Sequence, residues 1–148
     1  MEKIYNRILC PTDFSSESTK ALKKAIQLVS ILEAELFVTH IITNPYSDIY
    51  SGKTDVNMRA EEGFSVIEGM VKDFLEEHAA GVSCNTLIKT HEHTFGGIIE
   101  YAEEKDADLI VMATHGRTGL SHMMLGSTAE QVVRHAPCPM LTFRSRQG

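Results

Sequence analysis

Apolar and polar positions divide this chain into strands and helices in regular alternation. Ile4 to Cys10 reads as a first strand, ended by Pro11 because proline cannot donate to a sheet ladder. Thr12-Asp13-Phe14-Ser15-Ser16 is a turn rich in helix-capping side chains. Leu22, Ala25, Ile26, Val29 and Leu32 then share one helical face, and Leu36 to Ile42 reads as a second, buried strand. Strand, helix, strand with short joins is a βαβ unit, so its two strands run parallel.

Thr43 to Asn57 is polar and includes Pro45, Tyr46, Tyr50 and Gly52; its length suits a mobile flap. From about Met58 a second helix presents Phe64, Ile67, Met70, Val71, Phe74 and Leu75. Gly63 and Gly69 each lower its propensity by roughly 1 kcal/mol relative to alanine, so packing must hold it. Its methionines read as core filler. Val82 to Thr90 predicts a third strand, and Thr94 could cap a short helix with Phe95, Ile98, Ile99 and Ala102 inward. Leu109 to Ala113 has the composition of a buried strand, the final helix carries Ala129, Val132, Val133 and Ala136, and Met140 to Phe143 is a fifth strand. Five strands alternating with four helices predict an open, doubly wound parallel α/β sheet with helices on both faces. With no linker or internal repeat, residues 1–148 form a single domain.

Between the fourth strand and the last helix lies a glycine-containing loop, Thr114 to Leu125, closing on Gly126-Ser127-Thr128. Glycines between a strand and a helix start allow backbone N–H groups to approach a phosphate, and the helix end adds free donors and a positive dipole end. Two plainer readings stay open. Gly116 and Gly119 could serve turns, and Ser127 followed by Glu130 spells a capping box that would occupy the serine hydroxyl. The loop is neither a Walker A sequence nor a dinucleotide G-x-G-x-x-G.

Composition narrows the classes. Hydrophobic residues make up 43% and charged residues 23%, as in ordinary globular proteins. A formal charge of −6 argues against indiscriminate binding to nucleic acid or anionic membranes, though not against a small anion held by local N–H groups. No apolar run approaches the roughly 20 residues of a membrane span, and Met1 to Cys10 lacks the apolar region of a signal peptide. Cys10, Cys84 and Cys138 form no C-x-x-C, which fits a reducing cytoplasm and makes a thiol redox protein a poor reading. His91-Glu92-His93 has metal-compatible spacing but no further ligands nearby, so solvated loop histidines are the better reading.

Ala113-Thr114-His115-Gly116, nine residues, then Gly126-Ser127 resembles the nucleotide loop of the universal stress protein family, G-x2-G-x9-G-[S/T], with Ala113 in place of the first glycine. Pro11-Thr12-Asp13, Ala107 to Met112 and Arg134-His135-Ala136-Pro137-Cys138-Pro139 extend the resemblance over essentially the whole chain. It implies strand order 3-2-1-4-5, with strands 1 and 4 as neighbours at a switch point where ligands bind. The implied ligand is ATP, with ADP or AMP as alternatives and Mg²⁺ accompanying ATP. The implied nucleotide-binding residues are Pro11, Thr12, Asp13, Ile41, Met112, Ala113, Gly116, Arg117, Gly126, Ser127 and Thr128. Asp13 would accept from a ribose hydroxyl or the adenine amino group, and Ile41 would flank the base. Gly116, Gly126, Ser127 and Thr128 would hold phosphate oxygens, and Arg117 could add charge from the rim or stand as a solvated loop residue. The resemblance also implies a homodimer through Met140, Leu141, Thr142 and Phe143. Two further functions stay open: a slow ATPase on the same site, and an interaction module that has lost nucleotide because Ala113 crowds the pocket.

Overall fold

A computed structural model describes residues 2–43, 60–115 and 125–144 of the chain. Its elements are β1 (Arg7–Pro11), α1 (Ser16–Leu32), β2 (Glu35–Ile42), α2 (Ala60–His78), β3 (Asn85–Thr90), α3 (Thr94–Glu104), β4 (Leu109–Ala113), α4 (Ser127–His135) and β5 (Met140–Phe143). The five strands form one parallel sheet in the order β3-β2-β1-β4-β5, the doubly wound arrangement expected. Thr43 to Asn57, read as a flap, lies outside the described residues apart from Thr43 itself.

Each face of the sheet is closed by two helices. Ile8, Cys10, Val38 and Val111 pack with Leu22 and Ala25 of α1 and Phe74 of α2. On the other face Leu9, Phe37, Ile110 and Met112 pack with Ile98 of α3 and Val132 of α4. Both faces are buried, so β4 reads in sequence as a continuous apolar run and β2 as an apolar run broken by Thr39 and His40.

Four local readings are corrected by packing. β1 begins at Arg7 and not Ile4, which is 76% exposed, because the Asn6 and Arg7 amides donate to the Asp108 carboxylate at 2.8 and 3.0 Å. That aspartate ties the start of β1 to the start of β4. β3 begins at Asn85, since Val82 closes a turn onto Ala79 with Gly81 at φ +77°. In α3 the inward row is Ile98, Tyr101 and Ala102 at helical spacing, which leaves Ile99 only half-buried. Met70 and Val133 lie off their helices' buried rows and are 37% and 54% exposed.

Candidate nucleotide site at the sheet switch point

The site begins where β1 and β4 part. They pair only at Ile8 with Leu109 and Leu9 with Ile110. Beyond that, β1 stays with β2, the Thr12 amide donating to the Thr39 carbonyl at 2.8 Å. β4 meanwhile stays with β5, the Thr114 amide donating to the Phe143 carbonyl at 3.1 Å. Because N–H groups alternate sides along a strand, the donor missing at Pro11 is the one that would face β4. The proline therefore lets the strands separate at the point where their connections leave in opposite directions.

A cavity of about 390 Å³ occupies this crevice. Pro11, Thr12 and Asp13 line it from the end of β1 and Ile41 from β2; Met112 and Ala113 line it from β4, and Gly126, Ser127 and Thr128 from the start of α4. Gly116 and Arg117 lie outside the described residues. Segments far apart in sequence thus meet at the carboxyl edge of the sheet.

The 12–15 turn is fixed by its own side chains. The Phe14 amide donates to Thr12 Oγ1 at 3.1 Å, and the Ser15 amide donates to Asp13 Oδ1 at 3.0 Å. Ser15 caps α1, accepting from the Ser18 amide at 3.1 Å. The Ser18 hydroxyl donates to the Ser15 carbonyl, so the Thr12 hydroxyl is the donor in their 3.0 Å contact and its proton serves the turn. Asp13 thus braces the turn while its residue lines the cavity. Phe14 adopts φ +67°, a left-handed conformation that costs a bulky residue about 1–3 kcal/mol and must be held by its surroundings.

At the other wall, the predicted capping box does not form. Gly126 is the N-cap of α4, and Ser127 is the first helical residue. A glycine has no side chain with which to cap, so the first-turn N–H groups that precede the Glu130-to-Gly126 bond receive no side-chain cap, and Gly126, Ser127 and Thr128 lie on the cavity wall. Ala113 is extended, with none of the positive φ that would require glycine, and it packs toward the core on the α1 side.

Several cavity residues carried little signal in the sequence. Thr39 is 1% exposed, and its hydroxyl has no partner among the described residues. His115 Nδ1 meets Thr114 Oγ1 at 3.1 Å; that hydroxyl donates to the Phe143 carbonyl, so the imidazole is the donor. His40 is 4% exposed, and its Nδ1 donates to the Thr12 carbonyl at 2.8 Å. A histidine within an apolar strand was the sole trace of this contact.

Away from the cavity, burial pushes the Cys10 thiol up to about 12, and burial also raises Cys84 and Cys138. All three disfavour the thiolate that redox chemistry needs. His91 Nε2 pairs with Glu100 at 3.2 Å, and no metal-ligand cluster occurs among the described residues. No helix among them is long and apolar enough to cross a membrane.

The model of the Universal stress protein family matches residues 4–144. Universal stress protein MJ0531 of Methanocaldococcus jannaschii is 34% identical over 152 aligned residues, covering 97% of this chain and 84% of that one. The solved structure of hypothetical protein MJ0577, from the same organism, superposes with a TM-score of 0.76 at 22% identity, covering 98% and 99% of the two chains. A universal stress protein solved in complex with cAMP superposes at 0.71 with 21% identity, covering 97% and 99%. Family match, sequence relatives and sheet order agree: the chain belongs to the universal stress protein family.

Proposed function

We propose that this protein binds an adenine nucleotide, ATP foremost, in the crevice between β1 and β4, and that occupancy regulates a dimer or its partners in a stress response. The observation that carries the reading is the convergence of the β1 turn, the ends of β2 and β4 and the uncapped start of α4 on one cavity. Its volume, about 390 Å³, lies in the range of small-molecule sites. The base would lie against Ile41 and Met112, which are buried on the same face of the sheet. Ribose hydroxyls would donate to Asp13. Phosphates would meet the N-terminus of α4 through the amides and hydroxyls of Ser127 and Thr128, with Gly126 allowing close approach and Gly116, Arg117 and Mg²⁺ completing that end. The solved relative in complex with cAMP supports an adenine nucleotide, and the unpartnered Thr39 hydroxyl supports a polar occupant.

The extended backbone of Ala113 favours binding over the interaction-module reading, because its methyl packs toward the core. The dimer would form through β5. Pro139 and Phe143 carbonyls accept from Ile110 and Thr114, so alternation turns the Met140 and Thr142 N–H groups to the open edge. An open edge of this kind pairs readily with a symmetry mate. Mass spectrometry of small molecules released from the purified, denatured protein tests the function. An adenine nucleotide at near-stoichiometric yield supports it, and turnover to ADP on incubation would mark the slow-ATPase variant.

A further inference from the structure

The turn that brings Asp13 to the cavity is held from beneath the sheet by a residue on its neighbouring strand. His40 borders the cavity between Thr39 and Ile41, but strand alternation puts its ring on the opposite face, against Phe14. There it is 4% exposed and stacks on Phe14, with ring centroids 4.6 Å apart at 33°. Phe14 in turn meets Phe74 of α2 edge-on at 5.5 Å. The same imidazole donates from Nδ1 to the Thr12 carbonyl at 2.8 Å, the residue immediately before Asp13. Asp13 therefore lies between two restraints from one side chain: a hydrogen bond on Thr12 and a ring contact on Phe14.

We propose that His40 is a positioning residue for the ligand site, fixing the 12–14 backbone so that the Asp13 carboxylate is presented to the nucleotide; this rests on the adenine-nucleotide reading given above. Three observations meet here. Phe14 is in a left-handed conformation, which persists only where neighbours impose it, and such residues gather at ligand clamps. The Thr12 carbonyl, buried with its residue, takes its hydrogen bond from a side chain. The contact comes from β2, whose Ile41 would flank the base, so one strand would set both the base wall and the ribose acceptor.

Two substitutions separate the ring from the donor. His40→Phe keeps a ring against Phe14 and removes the Nδ1 donor. His40→Asn supplies an amide donor close to where Nδ1 lies and removes the ring. In ATP titrations His40→Phe should weaken binding at least tenfold, about 1.4 kcal/mol. His40→Asn, which restores the donor without the ring, should bind ATP at least about threefold more tightly than His40→Phe. ATP affinity unchanged in His40→Phe, or no better in His40→Asn, overturns the proposal. Ring-nitrogen NMR of the wild type gives a reading that needs neither variant folding nor nucleotide binding. A slowly exchanging proton on His40 Nδ1 is expected, and an unprotonated Nδ1 overturns the assignment. Should wild type bind no ATP, the functional reading fails on its own. The restraint is then judged by the Asp13 and Phe14 amide signals, expected to move in His40→Phe and return in His40→Asn.

Discussion

The Gly126 amide donates to the Thr114 carbonyl at 2.8 Å, and a Cβ built on Gly126 would meet that same oxygen at 2.7 Å. The obstacle is backbone, so it cannot swing away as a side chain would. Gly126→Ala should therefore lower stability by about 1–3 kcal/mol as well as weaken nucleotide binding, because the start of α4 must shift. Thermal melts and ATP titrations of the alanine variant, both matching wild type, would contradict this contact.

Gly97 of α3 leaves room for Ile41. An added Cβ would lie 2.7 Å from Cδ1 and Cγ2 of that buried, β-branched side chain, so either Ile41 on the cavity wall or the start of α3 must shift. Gly97→Ala should weaken ATP affinity by about three- to tenfold, near 0.7–1.4 kcal/mol. An affinity equal to wild type would remove Ile41 from the base wall.

Association through β5 has an equally local test. Thr142 turns its N–H to the open edge, so Thr142→Pro removes a donor that β4 does not use. A dimer built there should dissociate at least about tenfold more readily while the monomer melts near the wild-type temperature. Wild type that stays monomeric in light scattering at high micromolar concentration contradicts the interface.

Lys89 of β3 is braced to α3 by Glu100 at 2.9 Å and Glu104 at 3.0 Å, and its ammonium lies 4.2 Å from the Tyr101 ring centroid. Burial alone would lower the ammonium pKa, but the bonds and charges of the two glutamates outweigh it and leave it raised. The Glu100 carboxyl is held below its ordinary value chiefly by the hydrogen bond from Lys89. A raised lysine stabilises the fold below 10.5 and loses that contribution as pH rises through the folded value. A lowered carboxyl stabilises above 4.5 and loses its contribution as pH falls through the folded value. The melting-temperature gap between wild type and Lys89→Met should thus be widest from about pH 6 to 9 and narrow toward both extremes. A gap independent of pH would assign Lys89 to packing alone.

Legibility in the sequence followed the kind of force involved. β4 was readable because burial on both faces leaves an uninterrupted apolar run, and β2 because only Thr39 and His40 break one; the strand order followed from the family resemblance. Long-range polar contacts were not readable. Nothing in local pattern shows that Asp108 would clamp the Asn6 and Arg7 amides about a hundred positions away. Ser127 and Glu130 have capping-box spacing, yet the chain turns at Gly126 and uses it as the cap. Tyr101 displaced Ile99 from the inward row because helical geometry, not hydrophobicity, selects positions 98, 101 and 102. In the site, Pro11 to Asp13 and Gly126 to Thr128 were marked by their motifs, whereas His40 and Thr39 depend on which face of β2 each occupies.

Isothermal titration of ATP into the purified, nucleotide-stripped protein tests the central claim most directly. Saturable binding with a dissociation constant below about 1 mM and one nucleotide per chain is the expected result, a free energy beyond about −4.1 kcal/mol. Flat heats, together with a cooperative thermal melt that shows the chain folded and does not move with millimolar ATP, would contradict it.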